Sequence, residues 1–210
     1  MADHTEHVRY GELDHEYVAR LRSLSPDQDG PILMLNLMRY REWADYPDGR
    51  TGVTGEQADN LYAPLEILQD IGAGIVLFGV VEEPLGDVPW ERVAIVRYPT
   101  VRSFIDMQDR PDFVERHVHK DAGMLETIIA VCHPTGGTLG AARRLRVELL
   151  GPGAAPEPGP GRLVMRVDGS PVGDGRRWVT AVVSDADLEA ALVDAVATGG
   201  VVTALIQELP

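Results

Sequence analysis

His117 and His119, Asn36 and Arg97 are the side chains of this sequence whose types and settings could do chemistry. An imidazole gives and takes protons near neutral pH. An amide and a guanidinium can orient a bound molecule or stabilise negative charge developing on it. Arg97 interrupts the apolar run VAIV on the face shared by Val93 and Ile95, so it needs a ligand or one of the 33 acidic residues as partner. Asn36 stands two residues from Met34 and two from Met38, and a buried amide must be satisfied by backbone or by a bound molecule. His117 and His119, with Cys132 and His133 downstream, also raise the question of a metal. On a strand the two rings would share a face. The surrounding pattern predicts a helix, where positions i and i+2 diverge, so one metal chelated by both is not expected. Near a helix C-terminus each imidazole reads either as a general acid or base facing a pocket or as a surface group assisting the helix end. Cys132 follows the apolar run Ile128 to Val131 and reads as a small buried hydrophobe. Walker, dinucleotide-binding, zinc-finger and HExxH motifs are absent.

The elements that must position these groups show in the periodicity. Leu13, Tyr17, Leu21 and Leu24, ended by Pro26, predict an accessory helix. Ile32 to Met38 predicts a strand with two different faces. Leu33, Leu35 and Leu37 suit packing under helices, whereas Met34, Asn36 and Met38 suit a lumen or pocket. The loop from Arg39 to Gly52 carries Arg39, Arg41, Trp43, Tyr46 and Arg50. It suits a lid over an anionic or polarised small molecule, or else a solvated loop whose rings pack on the core. Thr54 and Gln57 form a capping-box pattern before a helix that Pro64 should kink. Strands at 74–81 and 90–98, a helix from Thr100 broken at Pro111 and resumed to Gly123, and a strand at 125–131 complete a split βαβ order of the ferredoxin-like kind. In that order the first and third strands are expected to be parallel neighbours. Asn36 and Arg97 would then meet at one end of the sheet, beside the loop.

The remainder repeats this pattern in reduced form: strands at 145–150, 163–167 and 178–183, a helix at 185–197 and a strand at 201–209. GPGAAPEPGPG (151–161) replaces the first helix and reads as a linker. Gly123, Thr127 and Pro134 recur 76 residues later as Gly199, Thr203 and Pro210, and Thr100 and Phe104 match Ser184 and Leu188 at an offset of 84. The expected organisation is α+β, with a ferredoxin-like domain at 1–134 and a smaller, degenerate copy at 143–210, packed face to face. The second copy lacks polar chemistry and should supply a wall.

A net charge of −14 repels phosphate backbones, so nucleic acid is not an expected partner. The N-terminal stretch lacks the apolar core of a secretory signal, and no run approaches the roughly 18 apolar residues of a membrane span. With a single cysteine, the expectation is a cytoplasmic protein that meets no membrane.

Together, GPILMLNLMRYREWADYPDGRTGVTGEQ, WERVAIVRYPTVRSFIDMQDRPDF and HKDAGM resemble an uncharacterised bacterial family, a domain of unknown function within the dimeric α/β-barrel superfamily. The resemblance covers roughly residues 28–134 and implies ferredoxin-like sheets pairing into a barrel, within the chain or in a homodimer. Superfamily relatives include cofactor-free and haem-degrading monooxygenases, the latter using an Asn, a Trp and a His. Asn36, Trp90 and His117 or His119 are the candidates here. The expectation is a small-molecule enzyme with its pocket inside the barrel, an oxygenase without cofactor or an isomerase-like tailoring enzyme. Asn36, His117 and His119 would be catalytic, and Arg97, Arg39, Tyr46, Trp90, Met34 and Met38 would bind ligand. No metal or cofactor is expected, with haem as the alternative. The rival reading is a non-catalytic ligand-binding or assembly module.

Overall fold

The computed structural model describes residues 9–85, 88–139, 144–153, 156–185 and 201–206. The chain is α+β, in the order β1 (Glu12–Leu13), α1 (His15–Arg22), β2 (Ile32–Tyr40), α2 (Gly55–Tyr62), α3 (Leu65–Asp70), β3 (Gly74–Leu85), β4 (Arg92–Tyr98), α4 (Val101–Gln108), α5 (Pro111–Gly123), β5 (Met124–Gly136), β6 (Arg144–Leu150), β7 (Arg162–Gly173), β8 (Thr180–Asp185) and β9 (Val201–Ile206). The helix starts follow from local chemistry. Asp14 accepts from the Tyr17 amide, Thr54 with Gln57 and Thr100 with Ser103 form capping boxes, and α5 begins on Pro111, whose missing N–H costs nothing there. Ala63 and Pro64 separate α2 from α3, so the expected kink is a full break. The predicted helix at 185–197 lies, after Asp185, outside the described residues. No helix among the described residues is long and apolar enough to cross a membrane.

The strands form one curled antiparallel sheet in the order β1-β7-β5-β2-β4-β3-β9-β6-β8, and β7 also pairs with β8. That last pairing closes eight strands into a ring. The expected pair of sheets stacked face to face is therefore corrected: strands of the C-terminal half join the N-terminal half edge to edge on both sides, β7 to β5 and β9 to β3. Ser184, matched above to the helix-capping Thr100, lies within β8 instead. A second correction concerns direction. β2 and β4 are antiparallel, with Asn36 opposite Ala94 and Leu33 opposite Arg97.

Ring closure also decides which face goes where. Leu33, Leu35 and Leu37 point into the lumen, where they pack with Val93, Ile95, Ile128, Ala130, Leu145, Val147, Leu149, Met165 and Val183. The opposite face, with Met34, Met38, Ala94 and Tyr98, packs under the helices against Leu21, Ile67, Ile105 and Phe113. This reverses the assignment expected from the alternation. The reason is that the branched face finds matching aliphatic faces on the C-terminal strands, so the lumen is a core.

Candidate functional site

A cavity of about 150 Å3 lies between the outer face of the sheet and the helices. Met34, Asn36 and Ile129 come from the sheet, Leu21 from α1, Ile105 and Gln108 from α4, His117 and Lys120 from α5, and Pro171 and Val172 from β7. Tyr10, Tyr62 and Tyr98 add rings. The pocket is thus outside the barrel, correcting the expectation of a lumenal one.

Helix α5 carries the chemistry because His117 and Lys120, three residues apart, share a helical face. Lys120 is 7% exposed. Its ammonium sits 5.3 Å from the centroid of the Tyr10 ring and 5.0 Å from that of Tyr62, and makes no hydrogen bond or ion pair with any described residue. Ring faces attract a cation, but less than water does, so the charge stays expensive there. Burial accordingly pushes the Lys120 pKa below the ordinary lysine value, against the pull of Asp59 and Asp121. Asp59 is also buried; burial raises its pKa, opposed by the hydrogen bond it accepts from Tyr40 at 2.7 Å. The Tyr10 hydroxyl lies 3.1 Å from Nε2 of His117, and Asp121 lies 3.6 Å from Nδ1 of the same ring. With Tyr10 donating to Nε2, the ring hydrogen sits on Nδ1, toward Asp121. Asn36 donates one of its two amide hydrogens to the Met34 carbonyl at 3.0 Å, which leaves the other hydrogen and the side-chain oxygen without a partner among the described residues.

The cavity brings together only Asn36, Met34 and His117 from the residues singled out in the sequence. Met38 is buried in the same layer without lining the cavity. His119 points away, as i and i+2 require, and bonds the Tyr46 hydroxyl through Nδ1 at 2.7 Å. Tyr46 is buried against Ala58 and Ala122 and covered by Arg50, so its loop is docked on α5 and is no lid over this cavity. Arg39 pairs with Glu126 across β2 and β5. Trp90 packs in the lumen. Arg97 is exposed, on the lumen-facing side of β4, so the shared site with Asn36 is corrected; a solvated guanidinium needs no partner. Cys132 is buried in the lumen with its thiol pushed up to about 12 by burial, which leaves no thiolate for nucleophilic work.

The trio expected for haem does not converge, since Trp90 is on the other side of the sheet from Asn36 and His117. The cavity is also far smaller than the macrocycle, so these residues do not fit haem. Among the described residues no group of three His, Cys, Asp or Glu could hold a metal ion.

Two groups escaped the sequence reading. Tyr10 precedes any periodic segment and gives no signal. Lys120 had one: it is the only lysine in the chain, every other member of the Lys and Arg set being arginine. Arginine cannot deprotonate in a protein and lysine can, so a sole lysine kept in the interior marks a position where that difference counts.

The chain is similar to two crystal structures. The methylated RPA0582 protein is 32% identical over 58% of this chain and 93% of its own, with a TM-score of 0.51. The RPA0582 protein of unknown function from Rhodopseudomonas palustris is 30% identical over 58% of this chain and 94% of its own, with a TM-score of 0.50. No family model and no curated protein matches the chain.

Proposed function

This chain belongs to the family of the RPA0582 protein, and since that protein's function is itself unknown, we propose from the site that it is a small-molecule enzyme working by proton transfer on a small carbonyl or phenolic compound. The observation that carries this is the convergence of Lys120, His117, Tyr10 and Asn36 on one cavity. A pocket of about 150 Å3 takes a molecule of benzene's bulk. Asn36 orients its oxygen, and His117 takes the proton through the Tyr10 hydroxyl bonded to its Nε2. The anion so formed is what an isomerase reprotonates elsewhere and what an oxygenase without cofactor offers to dioxygen. Apolar walls strengthen each polar contact with that anion.

The rest of the fold reading belongs to the same proposal: two ferredoxin-like units in tandem, of the dimeric α/β-barrel kind, acting in the cytoplasm without cofactor. It is supported by strand order. β5-β2-β4-β3 and β9-β6-β8-β7 are the same permutation of four consecutive strands. The solved relatives are accounted for by little more than half of this chain.

The test is hydrogen exchange in heavy water, followed by proton NMR on small ketones and phenols that shift the protein's melting temperature. Accelerated exchange at the carbon beside the carbonyl, or ortho to the hydroxyl, that is lost in His117→Phe is the expected result. Compounds that bind without exchange would replace this reading with the non-catalytic ligand-binding module.

A further inference from the structure

We infer that Lys120 is a covalent site for small aldehydes and ketones, forming an imine through its Nζ inside the cavity. The inference rests on reading the cavity as a small-molecule site and goes one step further, to the bond formed there. Its basis is geometric. Lys120, 7% exposed, lines a cavity of about 150 Å3, lies between two tyrosine faces, and has no carboxylate bonded to it among the described residues. A lysine retained for charge alone would hold an ion pair or reach solvent.

The step balances without an oxidant or a second reagent. Neutral Nζ attacks the carbonyl carbon, a C–N bond forms, and the carbonyl electron pair takes up a proton. The resulting hydroxyl leaves as water with a second proton, so that ammonium and carbonyl become iminium and water. The iminium draws electrons from the neighbouring carbon, whose proton passes to the Tyr10 hydroxyl as that hydroxyl gives its own to Nε2 of His117. Reprotonation and hydrolysis return Lys120. At pH 7 only about one ordinary lysine in 2,500 is neutral, given a pKa near 10.4. The burial that depresses the Lys120 pKa enlarges that fraction.

Benzaldehyde is the probe, for its size and its carbonyl, with benzyl alcohol as the isostere that cannot form an imine. The full chain is incubated with benzaldehyde at neutral pH, reduced with borohydride and mapped by mass spectrometry. Since Lys120 is the only lysine, the α-amino group is the only competing aliphatic amine. The expected result is one benzyl group on Lys120, added faster than to the amino terminus and absent from Lys120→Arg and Lys120→Met. Labelling of the amino terminus alone, while benzyl alcohol still raises the melting temperature, overturns the imine and leaves the small-molecule reading standing. If neither compound binds nor labels, both readings fall.

Discussion

Tyr10 holds His117 through a 3.1 Å hydrogen bond while the face of the same ring covers Lys120. One side chain from ahead of the first strand thus sets both of the α5 side chains that line the cavity, reaching His117 across 107 positions of sequence. The Tyr10 amide region is itself fixed, since its carbonyl accepts from the Thr127 amide on β5. Removing only the hydroxyl separates the two functions. Tyr10→Phe should cost about 1 kcal/mol of stability, the net value of one hydrogen bond, and leave Lys120 covered. Equilibrium unfolding in urea measures it, and an unchanged midpoint would mean the bond to His117 contributes nothing.

Lys120→Met should be more stable than the natural chain, by roughly 1–3 kcal/mol at pH 7, because the desolvation of a buried charge exceeds what two ring faces return. The advantage should shrink on the alkaline side. Burial places the native pKa of Lys120 below its unfolded value. Between the two the unfolded chain binds a proton that the native chain does not, so native stability rises with pH. Unfolding curves from neutral pH to about 10, near the ordinary lysine pKa, give the comparison. A variant weaker than the natural chain at every pH would show that the ammonium has a stabilising partner after all.

His119 gives the opposite side of the pH scale. Burial, then Arg50 and Arg116, hold its pKa below the ordinary histidine value. As the pH falls through the histidine range the unfolded chain takes up the proton first, so stability is lost on the acid side and is fully present above it. His119→Gln should flatten the stability profile between about pH 7 and 5, around the ordinary histidine pKa. Parallel profiles for the two proteins would refute the assignment.

Helix α2 reaches α5 through two glycines. A methyl on Gly55 would stand 2.3 Å from the Arg41 carbonyl oxygen, and one on Gly123 would stand 2.6 Å from that of Gly55. This contact sets α2, which carries Asp59, against α5, which carries Lys120. Gly55→Ala and Gly123→Ala should each cost about 1–3 kcal/mol, as overpacking does. Since both push the same two helices apart, the double variant should cost less than the sum. Strict additivity in a double-mutant cycle would show the two sites to be independent.

A strand at 32–38, which the structure extends to Tyr40, and the chemical difference between its faces are legible in the sequence, because a period of two needs no tertiary information. Which face looks inward is not. That depends on the aliphatic faces of Val147, Leu149 and Val183 arriving from the other half of the chain. Asn36 and His117, which the structure places on one cavity, stand out in the sequence as candidates because an amide among methionines and a histidine near a helix end are locally unusual. The structure corrects the placement of Arg97 because parity with Val93 and Ile95 suggests burial, yet the lumen-facing side of β4 opens to solvent at Arg97. The buried guanidinium of this sheet is Arg92, at the start of the same strand. Sharing the outer-face parity of Ala94, it gave no break in an apolar run to draw attention.

Those two arginines make the last contrast. Arg97 is exposed, so Arg97→Met should change stability by no more than about 0.5 kcal/mol and leave ligand binding intact. Arg92 is 6% exposed, lies between the Phe78 and Tyr40 rings and pairs with Glu56. Losing one member of a fully buried pair costs about 3–5 kcal/mol because the other charge is stranded. Glu56 is not stranded, since its side chain is 57% exposed and returns to water. What Arg92→Met loses is the contact with two rings, and some of the attraction that opposes the burial-driven rise of the Asp59 pKa, for a cost of about 1–2 kcal/mol in total. Urea unfolding of both variants decides it. A large loss in Arg97→Met would restore that residue to a structural or ligand-binding role, and a loss above about 3 kcal/mol in Arg92→Met would mean that Glu56 is held out of water as firmly as its partner.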